Sequence, residues 1–180
     1  RQLMNTEAEL NIEFLLENVL INHNIDELQI LTYKKGEFII SETNPLEDMY
    51  FLLSGKIKVF KEYENGKTLL LQFVDGLCSM GDVEYINGLK HATGSVSPVN
   101  EVKLFKISYD ELDRRYKTCY KFRDYMIKHL SKRFLSSHSK AGLNLIYSMK
   151  TRLASYILSI KNKETNNIVM LKNLQEVSDN

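Results

Sequence analysis

The chain has 180 residues, 43% of them hydrophobic, with 24 basic and 23 acidic side chains and a net charge of +1. That length supports one sizeable core with an appendage, and the near-neutral charge gives no global electrostatic case for nucleic acid or an anionic membrane. No apolar run approaches the roughly 18 residues of a membrane span, and the first residues are too polar for a signal-peptide core; the sequence reads as cytoplasmic, without a membrane partner. Two cysteines are too few for a disulfide framework, a four-cysteine zinc site or a four-cysteine iron–sulfur cluster. The four histidines form neither an HxH pair nor an HExxH motif, so no metal is expected. The glycine-rich phosphate motifs and GxSxG are absent too, and the chain is expected not to be an enzyme.

In chain order, residues 5–21 carry Leu10, Phe14, Leu15 and Ile21 among acidic residues, which predicts a short amphipathic helix acting as a lid. From Leu28 the period changes. Residues 28–33, 37–40, 49–53, 56–63 and 68–74 are short β-prone runs bounded by Gly, Asn, Asp or Pro. Lys56, Lys58 and Lys61 around Ile57, Val59 and Phe60 predict a strand with one wet face. Glu64-Asn65-Gly66-Lys67 predicts a two-residue hairpin turn, because Asn-Gly readily supplies positive φ. The pattern breaks over residues 76–94, an irregular glycine-containing insertion where a pocket would form, and strands resume at 95–96 and 102–107. Ser108 and Glu111 then fit a capping box that opens a helix to about Tyr116.

Over residues 121–148, Phe122, Met126, Leu130, Phe134, Ser137, Ala141 and Leu145 form one stripe. At about 1.5 Å per residue such a helix is roughly 40 Å long, more than a small β-roll covers. A second copy is the economical partner, through a parallel seam in which Ser137 and Ala141 permit close approach; an intramolecular core helix is the alternative. The row Lys128, Lys132, Arg133 and Lys140 reads as a wet helix face, and His129 as solvated. Residues 151–161 predict a further helix and 168–171 a short strand, and Asn173 with Glu176 looks like a second capping box. The domain division expected is therefore a β-roll sensor over 1–120, a dimerisation helix over 121–148, and the start of another domain over 149–180.

The order of these motifs resembles the CRP/FNR family of bacterial transcription regulators. Residues 33–39 (YKKGEFI) are similar to that family's first glycine turn, Tyr50 to Val59 to its Y-x-x-x-x-G-x-x-x-V strand pair, and Glu64 to Lys67 to its EEGK hairpin. Met80-Gly81-Asp82 is similar to the F/I-G-E lead into its phosphate cassette. The resemblance implies an α+β fold: an antiparallel jelly-roll β-roll like a cyclic-nucleotide-binding domain, an N-terminal helix, a long C-terminal dimerisation helix and the opening of a winged helix-turn-helix at 174–180. It further implies a homodimer, a small-molecule effector, and DNA as partner through a recognition helix past residue 180. Residues 78–86 are similar to the YeiL-type branch, which carries a cysteine just before its Gly-Glu-Ile-Glu-Leu.

The resemblance places the effector pocket at Cys78, Gly81, Asp82, Val83, Glu84, Ala92 and Thr93, with Ser137 and His138 reaching it from the long helix. Cyclic-AMP-binding members present a Glu after the cassette glycine and, eleven residues after that glycine, an Arg followed by Ser or Thr. Here Asp82 and Ala92 stand in the first two places and Thr93 in the third. Loss of the bidentate Arg removes a major anion anchor, and Glu84 would repel a phosphate if it faced the same pocket. Cyclic AMP is thus not the expected effector, and the identity of any cofactor is left open. Cys78 reads either as a sensing thiol or as a small buried side chain, and Cys119 likewise, because reactivity requires exposure. A non-transcriptional cyclic-nucleotide-binding module and a small jelly-roll enzyme are the alternative functions.

Overall fold

The computed structural model describes residues 6–146, with side-chain surroundings given for 6–137. Expectations for 149–180 lie outside the described residues. The chain groups into two compact units, Arg1–Leu130 and Ser131–Asn180.

Helix α1 spans Glu7–Asn18 and opens with a complete capping box, Thr6 accepting from the Glu9 N–H while the Glu9 carboxylate accepts from the Thr6 N–H. It buries Ala8, Ile12 and Leu15, and Val19 follows at the same spacing. The expected face is corrected here: of Leu10, Phe14, Leu15 and Ile21 only Leu15 is buried. Residues 8, 12, 15 and 19 repeat at the 3.6-residue period, and the small Ala8 lets the helix lie close to the sheet, where the Asn11 amide donates to the Leu53 carbonyl at 2.7 Å.

The strands are β1 (Leu31–Tyr33), β2 (Asp48–Ser54), β3 (Lys56–Glu62), β4 (Thr68–Asp75), β5 (Cys78–Met80), β6 (Ser95–Pro98) and β7 (Val102–Ser108). They form two antiparallel sheets, ordered β1-β7-β2-β5 and β4-β3-β6. Along β2, side chains alternate between two cores. Met49, Phe51 and Leu53 join Phe105 and Ile107 of β7 beneath the helices, whereas Leu52 joins Leu104, Ile57 and Val96 between the sheets. Phe51 and Phe105 are register partners with stacked rings 5.0 Å apart. Residues 37–40 are not a full strand: Ile40 makes a single bridge to Val96. The hairpin turn is longer than expected, with three residues between Tyr63 and Lys67, the Tyr63 N–H donating to the Lys67 carbonyl at 2.9 Å.

Residues 76–94, expected to be irregular, instead contain β5 and a short helix α2 (Asp82–Asn87), between glycines in the left-handed region at both ends. Helix α3 (Tyr109–Tyr116) has the expected Ser108 cap, accepting from the Glu111 N–H at 3.3 Å. The Glu111 carboxylate faces His23 and Arg115 rather than closing a box. Helix α4 runs from Tyr120 to Ile146. Its first turns belong to the core of the Arg1–Leu130 unit, where Phe122 and Met126 pack with Leu112 and Tyr116. These two residues, expected on a dimer seam, are thereby removed from it.

A polar clasp fastens the segment after α1 to α3. His23 is buried, with Nδ1 2.5 Å from the Tyr116 hydroxyl and Nε2 3.3 Å from Glu111. The neutral tautomer with the proton on Nε2 satisfies both contacts, Tyr116 donating to Nδ1. Arg115 completes the clasp through Glu27 and the Asn22 carbonyl. Burial, then the Arg115 charge, lowers the His23 pKa, so the folded chain holds this ring neutral where an unfolded one would bind a proton. Stability therefore falls as pH drops below the ordinary imidazole value of about 6.5, until the folded-state value is passed. In thermal melts between pH 8 and 5, His23→Gln is expected to show a shallower loss of midpoint with acid than the wild type.

Candidate functional site

Of the expected pocket residues, Cys78, Gly81, Asp82, Val83 and Glu84 lie along β5 and the start of α2. Gly81 has φ of 79°, which lets the chain turn sharply from strand to helix, and a Cβ there would lie 2.8 Å from the Asp48 carbonyl and 3.1 Å from the Tyr109 hydroxyl. Asp82 follows, 1% exposed; its Oδ2 accepts from the Ser79 hydroxyl at 2.8 Å and lies 3.6 Å from His129 Nε2 of α4. The expected solvated His129 is corrected by this contact: it lies on the inner face of α4, seven residues from buried Phe122, and stacks on Tyr125 with centroids 5.7 Å apart. Burial, with Cys78 and Asp82 nearby, raises the Tyr125 hydroxyl pKa. Cys78 is buried, which favours the packing reading over an exposed reactive thiol; Cys119 is partly buried.

A second cluster lies along the cassette. Glu84 is 7% exposed, and its Oε1 accepts two hydrogen bonds from one residue, from the Thr93 N–H at 2.8 Å and the Thr93 hydroxyl at 2.6 Å. Ala92 is buried in the core between the sheets, and Val83 is half-buried. His91 is exposed and bridges to Pro45. Ser137 is exposed on α4, and the His138 side chain lies outside the described residues, as do those of Ala141 and Leu145.

Two tyrosines that were not among the expected site residues tie α2 to α3. The Tyr85 hydroxyl donates to Asp113 at 2.7 Å, and the Tyr109 hydroxyl donates to the Gly81 carbonyl at 2.8 Å, with the rings 5.2 Å apart. Burial raises both phenol pKa values, so both remain donors at neutral pH. A groove of about 1040 Å³ runs beside them, lined by Leu46, Tyr85, Leu89, Tyr109, Phe122 and Met126 among others. Tyrosine spacing carries no motif that could have flagged this pair. The His129 position was readable, because 122, 126 and 129 share one helical face. Among the described residues no group of three or more His, Cys, Asp or Glu could hold a metal ion, and no helix is long and apolar enough to cross a membrane.

Comparisons with known proteins identify the family and the fold. The family described as "Cyclic nucleotide-binding domain" matches residues 30–119. No curated protein sequence matches. Among solved structures, the c-di-GMP-responsive global regulator CLP of Xanthomonas campestris aligns at 18% identity over 87% of this chain and 73% of its own, with a TM-score of 0.66. The Thermus thermophilus catabolite activator protein aligns at 14% identity over 86% and 68%, with a TM-score of 0.56. The sensor domain of the regulator DNR from Pseudomonas aeruginosa aligns at 16% over 72% and 89%, with a TM-score of 0.57. At these identities the likeness is one of fold.

Gly81→Ala is expected to lower the melting midpoint by more than Gly36→Ala. Gly36 has a similarly positive φ of 97° with nothing within 4 Å of an added Cβ, so that variant carries the backbone strain alone, about 1–2 kcal/mol. The excess at Gly81 reports the close approach of β2 and Tyr109.

Proposed function

The chain belongs to the cyclic nucleotide-binding domain family, and from that premise we propose that it is the sensing and dimerising part of a bacterial transcription regulator of the CRP/FNR kind. One observation carries the reading. The first residue of the cassette helix, Asp82, faces His129 of the long helix, so a change in the cassette acts directly on α4. A ligand that favours one cassette arrangement biases the helix by its difference in affinity for the two, and the helix passes the bias to the DNA-reading segment. The solved regulators that share the fold support this role. The helix-turn-helix expected from residue 149 onward is part of the proposal.

The effector is not cyclic AMP in this reading. At the position where the resemblance puts an arginine, Ala92 is buried among apolar residues and offers no cation. Asp82, in the place of the ribose-binding carboxylate, is directed to Ser79 and His129. A ligand at 100 times its dissociation constant would add about 2.7 kcal/mol and move the melting midpoint by several degrees. The midpoint is expected not to move in millimolar cyclic AMP, and a shift of several degrees would overturn this assignment.

A second copy of the chain is the proposed partner along α4. With Phe122 and Met126 committed to the core and Leu130 half-buried, the seam shifts to Ile127 and Phe134, seven residues apart and about two-thirds exposed. Ser137, Ala141 and Leu145 remain candidates for its continuation. The double variant Ile127→Asp/Phe134→Asp is expected to sediment as a monomer where the wild type is a dimer. The full-length gene product is expected to lose DNA binding with the same changes; a wild-type protein that neither dimerises nor binds DNA sinks the regulator reading.

A further inference from the structure

Glu84 is a carboxylate that the fold has enclosed and then satisfied with a donor pair from a single residue. The Thr93 N–H and hydroxyl converge on Oε1 at 2.8 and 2.6 Å, while the side chain is almost wholly out of water. Two short donors meeting at one oxygen are the arrangement that holds an anion, and a carboxylate buried without them carries a large desolvation cost. The intervening chain fixes the geometry. Gly88 ends α2 with φ of 64°, the Leu89 N–H returns to the Glu84 carbonyl, and the Leu46 N–H donates to the Lys90 carbonyl, so Thr93 is brought back to Glu84 by a hydrogen-bonded turn. Ala92, between that turn and Thr93, contributes no charge, and the neighbouring Lys90 and His91 side chains are exposed.

We infer that Glu84 is the specificity-determining group of this cassette, a built-in anion that occupies the Thr93 donors and excludes a phosphate from them. This rests on the reading of residues 81–95 as the effector cassette. The donors that would hold a ligand's anionic oxygen are spent inside the protein, and an incoming phosphate meets a negative charge. A ligand that binds here without displacing Glu84 is therefore uncharged or cationic, and the cassette keeps its shape with no anion present.

The test restores the missing cation with and without the internal anion, using cyclic AMP as the probe. Wild type, Ala92→Arg, Glu84→Ala/Ala92→Arg and Glu84→Gln/Ala92→Arg are titrated calorimetrically, each with its own thermal melt. Adding the arginine alone is expected to give little binding, and removing Glu84 in the same chain to tighten it at least tenfold. Glu84→Gln keeps a carbonyl that accepts from Thr93 and drops the charge, so it carries the test if the alanine variant does not fold; a gain of at least threefold is expected. Equal affinity in Ala92→Arg and both double variants overturns the inference, as does a folded set in which none binds. Tight binding by the wild type overturns it together with the exclusion of cyclic AMP, whereas failure of the full-length protein to bind DNA sinks the regulator reading and leaves the role of Glu84 standing.

Discussion

The four-stranded sheet β1-β7-β2-β5 is apolar on both faces, and that constraint organises the rest of the Arg1–Leu130 unit. Met49, Phe51 and Leu53 alternate with Leu52 along one strand, so β2 must be covered twice. The second sheet covers one face. Among the described residues the other is covered by helices from the beginning of the chain and from beyond the roll: Leu15 of α1, Leu112 and Tyr116 of α3, Phe122 and Met126 of α4. Each large side chain so buried contributes about 1.5–3 kcal/mol of transfer free energy, against which the ordering of the helices must be set.

This packing decides what the long helix can do. Once Phe122 and Met126 face the sheet, the helical period turns His129 toward the β5–α2 junction and Ile127 outward. The same helix thus presents an inner face that meets the β5–α2 junction and an outer face on which Ile127 is exposed. The Tyr85–Asp113 and Tyr109–Gly81 hydrogen bonds add a second connection between cassette and helices, through α3. Coupling between a pocket and a distant element requires packed groups with more than one arrangement, and these contacts are where such arrangements would differ.

The cassette also shows how burial changes the meaning of an acidic residue. Asp82 and Glu84 are two positions apart on a six-residue helix and both buried, yet they serve different neighbours, Asp82 the Ser79 hydroxyl and His129, Glu84 the two donors of Thr93. In water either carboxylate would be fully hydrated. Enclosed, each is held by hydrogen bonds that orient it, and those bonds fix which atoms are open to a ligand.

The sequence by itself determined the local elements: the β-prone runs of β2, β3, β4 and β7, the Ser108 cap of α3, the length of α4, and the glycine before Asp82, because residue propensities, caps and turn residues are set by near neighbours. The grouping of Gly81, Asp82, Ala92 and Thr93 as one cassette came from the family resemblance and belongs to the proposed function. The sequence put α1 on the wrong face, since Leu10 and Phe14 compete with Ala8 and Ile12 in hydrophobicity and only the shape of the sheet decides between them. It missed α2, whose six residues lie below the length at which periodicity is visible. Only the tertiary structure decided that Phe122 and Met126 serve the core, that His129 meets Asp82 across 47 positions of chain, and that Glu84 turns back to Thr93. Those are contacts between distant segments, and which of several suitable partners a buried group takes is fixed by the packing of the whole sheet.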